Sequence, residues 1–169
     1  MSKRTGAEIR SGYLPGSIGR IVELHGTYYA FHWGFGAFFE ARMARELAEF
    51  VNRFDPQHDG LWTAVVAGRI EGSIAIDGSR SGDGEAHLRW FILDVSQRGQ
   101  GTGRRLLDEA IGFCRRCGHR HVTLWTFAGL DAARRLYEQA GFHLAVERRG
   151  AQWGIEVTEQ QFELHLTGG

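Results

Sequence analysis

The residues best equipped for chemistry stand together in Arg98-Gly99-Gln100-Gly101-Thr102-Gly103-Arg104-Arg105. Three alternate glycines let a backbone approach a ligand closely and turn several N–H groups the same way, and a helix starting here would add the positive end of its dipole. The chemistry is anion binding, with phosphate or pyrophosphate as the expected guest. The spacing excludes two common nucleotide loops. A P-loop ends in Gly-Lys-Ser/Thr, whereas the only lysine of the chain is Lys3, and a dinucleotide fingerprint needs its third glycine where Leu106 stands.

The flanking pattern says what must position this loop. Leu88-Arg89-Trp90-Phe91-Ile92-Leu93 is apolar enough for a buried strand, and Leu106, Leu107, Ala110, Ile111 and Cys114 recur at the spacing of one helix face. The loop is thus a strand-to-helix junction. Gly118 is placed to end the helix, and His121 to Thr126 reads as a strand, giving a βαβ unit whose strands should be parallel. A second helix is expected over 130–140 with Ala133, Leu136, Tyr137 and Ala140 inward and Gly141 as its stop. Strands over 142–147 and 160–166 follow, separated by a loop.

Upstream, residues 8–13 predict a short strand broken by Pro15-Gly16, and a helix starts at Ser17, read as its N-cap, with Ile18, Ile21, Val22, His25 and Tyr29 as its stripe. Tyr28, Tyr29, Phe31, His32, Trp33, Phe35, Phe38 and Phe39 then crowd around Gly34 and Gly36. These rings are read both as helix packing and as the wall of an acceptor pocket. A second helix buries Phe39, Met43, Leu47, Phe50, Val51 and Phe54 and ends at Asp55-Pro56. A hairpin turns at Ala67-Gly68, and a polar loop spans 78–84. On the strand over 85–93, Glu85, His87 and Arg89 share one face and Ala86, Leu88 and Trp90 the other, unless a bulge intervenes.

Composition bounds the rest. The 169 residues fit one domain, 1–169 with a core from about 8 to 166, with 43% hydrophobic and 24% charged residues. A formal net charge of zero gives no general attraction to nucleic acid or an anionic membrane. With no long apolar run and no signal-peptide pattern, a soluble cytoplasmic protein is expected. Cys114 and Cys117 form Cys-Arg-Arg-Cys at a helix end without a second Cys/His pair, so they are read as a buried and a partly exposed thiol rather than a redox or zinc motif, and no metal is expected.

The order β-α-α-β-β-β-α-β-α-β-β, the Arg-x-x-Gly-x-Gly loop at 98–103 and Leu136-Tyr137-Glu138-Gln139-Ala140-Gly141-Phe142 together resemble the GNAT superfamily of N-acetyltransferases from about residue 8 to 166. Details around Trp125-Thr126-Phe127 and Ala132-Ala133-Arg134 are similar to the acetyltransferase halves fused to MarR-type regulators. The resemblance implies an α/β (α+β) fold: a mixed sheet of about seven strands with an N-terminal antiparallel part, a splayed central strand and about four helices. It implies acetyl-coenzyme A as co-substrate and direct transfer, in a ternary complex, to a primary amine of a small acceptor. Phe91, Ile92 and Leu93 would pair with the pantetheine arm, and Arg98, Gly99, Gln100, Gly101, Thr102, Gly103 and Arg104 would hold the pyrophosphate. A backbone N–H, that of Leu93, would face the thioester oxygen, and Tyr137 would protonate the departing thiolate.

Three positions depart from the family pattern. Val95 replaces a turn proline, Leu130 an asparagine that hydrogen-bonds the cofactor arm, and Trp125 a glutamate base. The base is therefore sought in Glu85 and His87, with His32 and Glu40 as outsiders. Tyr29, His32, Trp33, Phe35 and Trp125 are the expected acceptor pocket, suited to an aromatic or amphipathic amine held partly by cation–π contact. The resemblance also allows a homodimer. Two other readings stand beside it: a non-catalytic module that binds acyl-coenzyme A and reports it to a partner, and a regulator that binds a nucleotide or phosphate metabolite.

Overall fold

A computed structural model describes residues 6–78 and 83–167; positions 79–82 of the expected 78–84 loop lie outside them. The elements are β1 (Glu8–Ser11), α1 (Ser17–Trp33), α2 (Ala37–Asn52), β2 (Gly60–Val66), β3 (Arg69–Gly78), β4 (Glu85–Leu93), α3 (Thr102–Cys117), β5 (His121–Phe127), α4 (Asp131–Gln139), β6 (His143–Gly150) and β7 (Val157–His165). One seven-stranded sheet runs β1-β2-β3-β4-β5-β7-β6, with only the β4–β5 pair parallel. The element order, the antiparallel N-terminal half and the βαβ unit are as expected.

The boundaries shift where local chemistry overrides the pattern. Gly16, not Ser17, occupies the cap position of α1 in a left-handed conformation, and the Ser17 hydroxyl accepts from the Leu14 N–H at 3.4 Å. Helix α2 stops at Asn52, before Phe54, and β1 ends at Ser11. Strands β6 and β7 both reach further than expected, because they pair with each other up to Gly150 and Val157. The turn between β2 and β3 has positive φ at both Ala67 (49°) and Gly68 (78°), the geometry whose twist matches a two-residue hairpin.

Two cores sandwich the sheet. On one face α3 and α4 bury Leu106, Leu107, Ala110 and Tyr137 against Ala86, Leu88, Val122, Leu124 and Phe162. On the other, α1 and α2 bury Ile21, Met43, Leu47 and Phe50 against Leu61, Ala75, Trp90 and Phe127. Cys114 is buried in the first core, where burial pushes its thiol up to about 12, and Cys117 is partly exposed. No helix among the described residues is long and apolar enough to cross a membrane.

Candidate active site

The centre of the molecule is an irregularity in β4. Opposite Ser73 and Ala75, two residues apart on β3, stand Ile92 and Arg89, three apart on β4, so β4 carries one extra residue. Trp90 takes it up with φ of 50°, uncommon for a bulky residue, and the Ser73 hydroxyl donates to the Trp90 carbonyl at 2.7 Å. The bulge turns Trp90 onto the same face as Arg89, against Phe50 of α2, whereas Leu88 packs in the α3 core. The simple alternation expected for 85–90 thus ends at Arg89.

The bulge coincides with a gap. Strands β4 and β5 pair only at Glu85–His121, Ala86–Val122 and His87–Thr123, after which they part. The peptide groups beyond that point can be assigned a side. The Trp90 carbonyl meets Ser73 on β3, so the N–H of Phe91 in the same peptide plane points away, toward the gap. The Asp94 N–H donates to Glu71 on β3, so the Leu93 carbonyl likewise faces the gap. A β-edge is therefore left open in the middle of the sheet.

A cavity of about 400 Å³ occupies this opening and passes from the α1/α2 face to α4. Its walls are largely aromatic, including Tyr29, Phe35, Phe39, Trp90, Trp125 and Phe127, and Tyr137 and Leu130 lie toward the α4 side. Tyr137 is buried among Phe91, Phe142 and Phe162, and among the described residues its hydroxyl has no hydrogen-bond partner. Burial pushes its pKa above the usual tyrosine value, with a further upward push from Tyr29 of α1, on the far side of the sheet. Tyr29 is itself pushed up, by burial first.

The loop before α3 has the geometry of an anion cradle. Gly99 (φ 76°) and Gly101 (φ 80°) are left-handed with open space where a Cβ would be, and Gly101 precedes the first turn of α3 without a side-chain cap. The N–H groups of that turn have no intrahelical acceptor. At Gly103 a Cβ would lie 3.1 Å from Leu136 Cδ1, so the missing side chain also lets α3 seat closely on α4. Arg98, Gln100 and Arg104 are exposed; Arg98 lies over the Tyr28 ring at 4.7 Å, and Arg104 pairs with Asp108 at 3.6 Å. Thr102 is buried. Phe91, Ile92 and Leu93 lie on the open half of β4.

The other expected residues separate. His87 lines the cavity at the last rung of the β4–β5 pairing, with Nδ1 2.7 Å from Thr123 Oγ1. Glu85 stands at the outer end of β4, 3.4 Å from His121, and does not line the cavity. Tyr29, Phe35 and Trp125 line it; Trp33 packs edge-on against Phe127 and over Gly129 outside it, and the exposed His32 lies against Tyr28. Glu40 of α2 packs on Gly26 of α1, where a Cβ would meet its carboxylate.

Sequence reasoning did not single out the polar floor. Arg89 bridges Glu46 of α2 and Asp77 of β3, and Arg42 joins Glu46, all lining the cavity. Nor did it identify Gln152 and Trp153, which the β6–β7 loop brings into the wall, although a tryptophan beside Gly154 in a loop was a usable signal. Buried Glu159 shapes that loop by accepting from the Gln152 N–H and Arg148 Nε, each at 3.0 Å. The tryptophan faces already carry resident cations: Arg89 over Trp90 at 4.2 Å and Arg148 over Trp125 at 4.6 Å.

An open β-edge beside a glycine cradle is what a long thioester carrier with a pyrophosphate would need, and comparison with known proteins decides the family. The family described as acetyltransferase (GNAT) matches residues 20–142. The chain belongs to the GNAT acetyltransferase family. Among its relatives, N-acetylaspartate synthetase from Danio rerio is 34% identical over 52% of this chain and 30% of its own length. An uncharacterized N-acetyltransferase from Methanocaldococcus jannaschii is 26% identical over 68% and 53%. The chain thus spans about a third to a half of these relatives. A phosphinothricin acetyltransferase from Sinorhizobium meliloti in complex with acetyl-CoA superimposes with a TM-score of 0.73 at 19% identity, covering 98% of this chain and 91% of that one. An N-acetyltransferase from Staphylococcus aureus Mu50 gives 0.75 at 17%, covering 96% and 100%.

Proposed function

We propose that the protein transfers an acetyl group from acetyl-coenzyme A to the primary amine of a small acceptor whose body is apolar or aromatic. The observation that carries this reading is the gap between β4 and β5, where an unpaired strand edge and Tyr137 meet at one cavity, with the Gly99–Gly101 loop following directly on that strand. The pantetheine arm would pair with the Phe91–Leu93 edge, and the pyrophosphate would take the N–H groups of the loop and first turn of α3. In this arrangement the Phe91 N–H, which faces the gap, joins that of Leu93 as a donor for the thioester oxygen.

The chemistry needs little beyond position. The amine nitrogen bonds to the thioester carbon, the C–S bond breaks, the amine gives up a proton and the thiolate takes one. Tyr137, kept protonated by burial, supplies the sulfur's proton. His87, held through Nδ1 by Thr123, is the group of the expected pair that lines the cavity and would receive the amine's proton directly or through water. The acceptor's body would sit among Tyr29, Phe35, Trp125 and Phe127. The ion-paired floor of Arg42, Arg89, Glu46 and Asp77 carries no net charge, and the Trp90 and Trp125 rings already have guanidinium partners. Ring packing, more than cation–π contact, would therefore hold it.

The test begins with calorimetric titration of acetyl-coenzyme A into wild type, Gly101→Ala and Gly101→Glu. Both variants share the backbone strain of a left-handed residue, and only the glutamate opposes the pyrophosphate. Saturable binding by wild type and Gly101→Ala, lost in Gly101→Glu, supports the cradle; no binding by folded wild type refutes it. An acceptor screen with phenethylamine, tryptophan, aspartate, spermidine and a peptide N-terminus then follows. Aspartate belongs there because a relative is named for its N-acetyl product. Preference for spermidine or aspartate over the aromatic amines would overturn the acceptor class.

A further inference from the structure

Away from the cavity, the end of the sheet gathers three histidines around one carboxylate. The β5–β7 register sets His121 opposite His165, and the β6–β7 register sets His143 opposite Glu163. Glu163 and His165 are two apart on β7 and so share a face. The Nε2 atoms of His121, His143 and His165 lie 3.7, 3.7 and 3.8 Å from the same Glu163 Oε2. These separations exceed a hydrogen bond but approach the spacing of about 3.4 Å between donors around a tetrahedral ion with bonds near 2.1 Å.

Two further observations distinguish this cluster from an ordinary polar surface. His121 Nε2 is buried and has no hydrogen-bond partner, a costly state for a ring nitrogen. Behind it, His121 Nδ1 stands 3.4 Å from Glu85 Oε1. A carboxylate accepting from Nδ1–H leaves the Nε2 lone pair bare and aimed forward, the arrangement by which metal-ligating histidines are oriented. The rings of His121 and His165 are stacked at 4.6 Å, and closing on one ion needs rotation about χ2, a soft torsion for histidine.

We propose that His121, Glu163 and His165, whose ligand atoms all lie within 4.8 Å of one another, form a site for a divalent transition metal of the zinc class, with His143 beside Glu163 and with Glu85 as the residue that positions His121. Two imidazoles and a carboxylate, with water completing the set, suit Zn²⁺ and Co²⁺ better than Ca²⁺ or Mg²⁺, which take oxygen ligands. The ion would tie β5, β7 and the edge strand β6 together. Strand β6 is exposed along nearly its whole length and carries a bulge between Leu144 and Val146. It also leads into the loop that places Gln152 and Trp153 in the cavity wall. None of the five residues lines that cavity, so the site serves the sheet rather than the reaction.

The experiment titrates chelator-stripped protein with Zn²⁺ against a chromophoric chelator and records the visible spectrum with Co²⁺. Wild type is expected to bind one ion per chain, to give the intense bands of tetrahedral Co²⁺, and to melt at a higher temperature with Zn²⁺ present. Glu163→Gln and His165→Ala should each weaken binding at least about a hundredfold, and Glu85→Gln about tenfold. His58→Ala, at a histidine outside the cluster, should bind as wild type. Absence of saturable binding by wild type, an octahedral Co²⁺ spectrum, or equal affinity in Glu163→Gln and His165→Ala would overturn the proposal. The wild-type spectrum decides the matter even if a variant fails to fold.

Discussion

Replacing Tyr137 by phenylalanine separates a catalytic from a structural tyrosine, because the two roles predict different observables. The ring is packed against Phe91, Phe142 and Phe162 with centroid separations of 5.9, 5.8 and 6.1 Å, and these contacts survive the substitution. The hydroxyl has no hydrogen-bond partner among the described residues, so removing it breaks no bond, and stability should change by less than about 0.5 kcal/mol. Acetyl-coenzyme A should still bind within about twofold, since the strand edge and loop are untouched. Turnover should fall, because the thiolate loses its proton donor. General acid catalysis is worth roughly 100- to 10,000-fold, and a thiolate is a good leaving group, so a loss of about 10- to 100-fold is expected. The rate should show no fall below pH 9 in wild type attributable to this phenol, because burial raises its pKa above the ordinary tyrosine value. The assay is steady-state release of coenzyme A, run beside calorimetry and urea unfolding. Unchanged turnover with unchanged binding would refute the proton-donor role. A stability loss above about 2 kcal/mol would refute the claim that the hydroxyl is unbonded.

Ser73→Ala removes the hydroxyl that donates to the Trp90 carbonyl at the bulge, and should cost about 1–3 kcal/mol in urea unfolding and weaken acetyl-coenzyme A binding as the Phe91 N–H loses its fixed direction. Leu47→Ala, at a fully buried site between α2 and the sheet, should lower stability by about 2–5 kcal/mol without changing the urea m-value. Asp77→Asn should cost about 1–3 kcal/mol at pH 7 and flatten the acid limb of the stability profile. Burial opposes ionisation of Asp77, but the Arg53 hydrogen bond and the charges of Arg53 and Arg89 outweigh it and hold its pKa below the usual value. Its contribution is therefore complete above about pH 4, the unfolded value, and lost as pH falls through the depressed folded one; thermal melts from pH 7 to 3 check this.

The sequence disclosed what depends on local pattern. Glycine spacing at 99–103 and the stripe from Leu106 to Cys114 were enough to place a strand-to-helix anion loop, and the alternation in 61–76 was enough for the hairpin. It could not disclose what depends on register. Glu85 and His87 differ by two positions on one strand and looked equivalent, yet only His87 stands where β4 and β5 part, and that point is fixed by how β5 pairs. The polar floor was hidden for the same reason, since Glu46, Asp77 and Arg89 meet only when α2 is laid across β3 and β4. Trp33 and Trp125 were both aromatic residues near glycine or a strand end. Only tertiary packing sends one to Gly129 and the other to the cavity.

The bulge explains why these features belong together. An unbulged β4 would leave Trp90 on the α3 face with Leu88 and put Phe91, which now packs against Tyr137, on the α2 face. With the extra residue, Trp90 and Arg89 share the α2 face, so one brings its ring to the core and the other its charge to Glu46 and Asp77. The same residue turns the Phe91 N–H away from β3 and puts it on the unpaired edge. Strain at a single positive φ, of order 1–3 kcal/mol, is thus offset by a buried hydrogen bond, an aromatic contact and two ion pairs. Its functional return is a β-edge open in the centre of a sheet that is otherwise continuously paired.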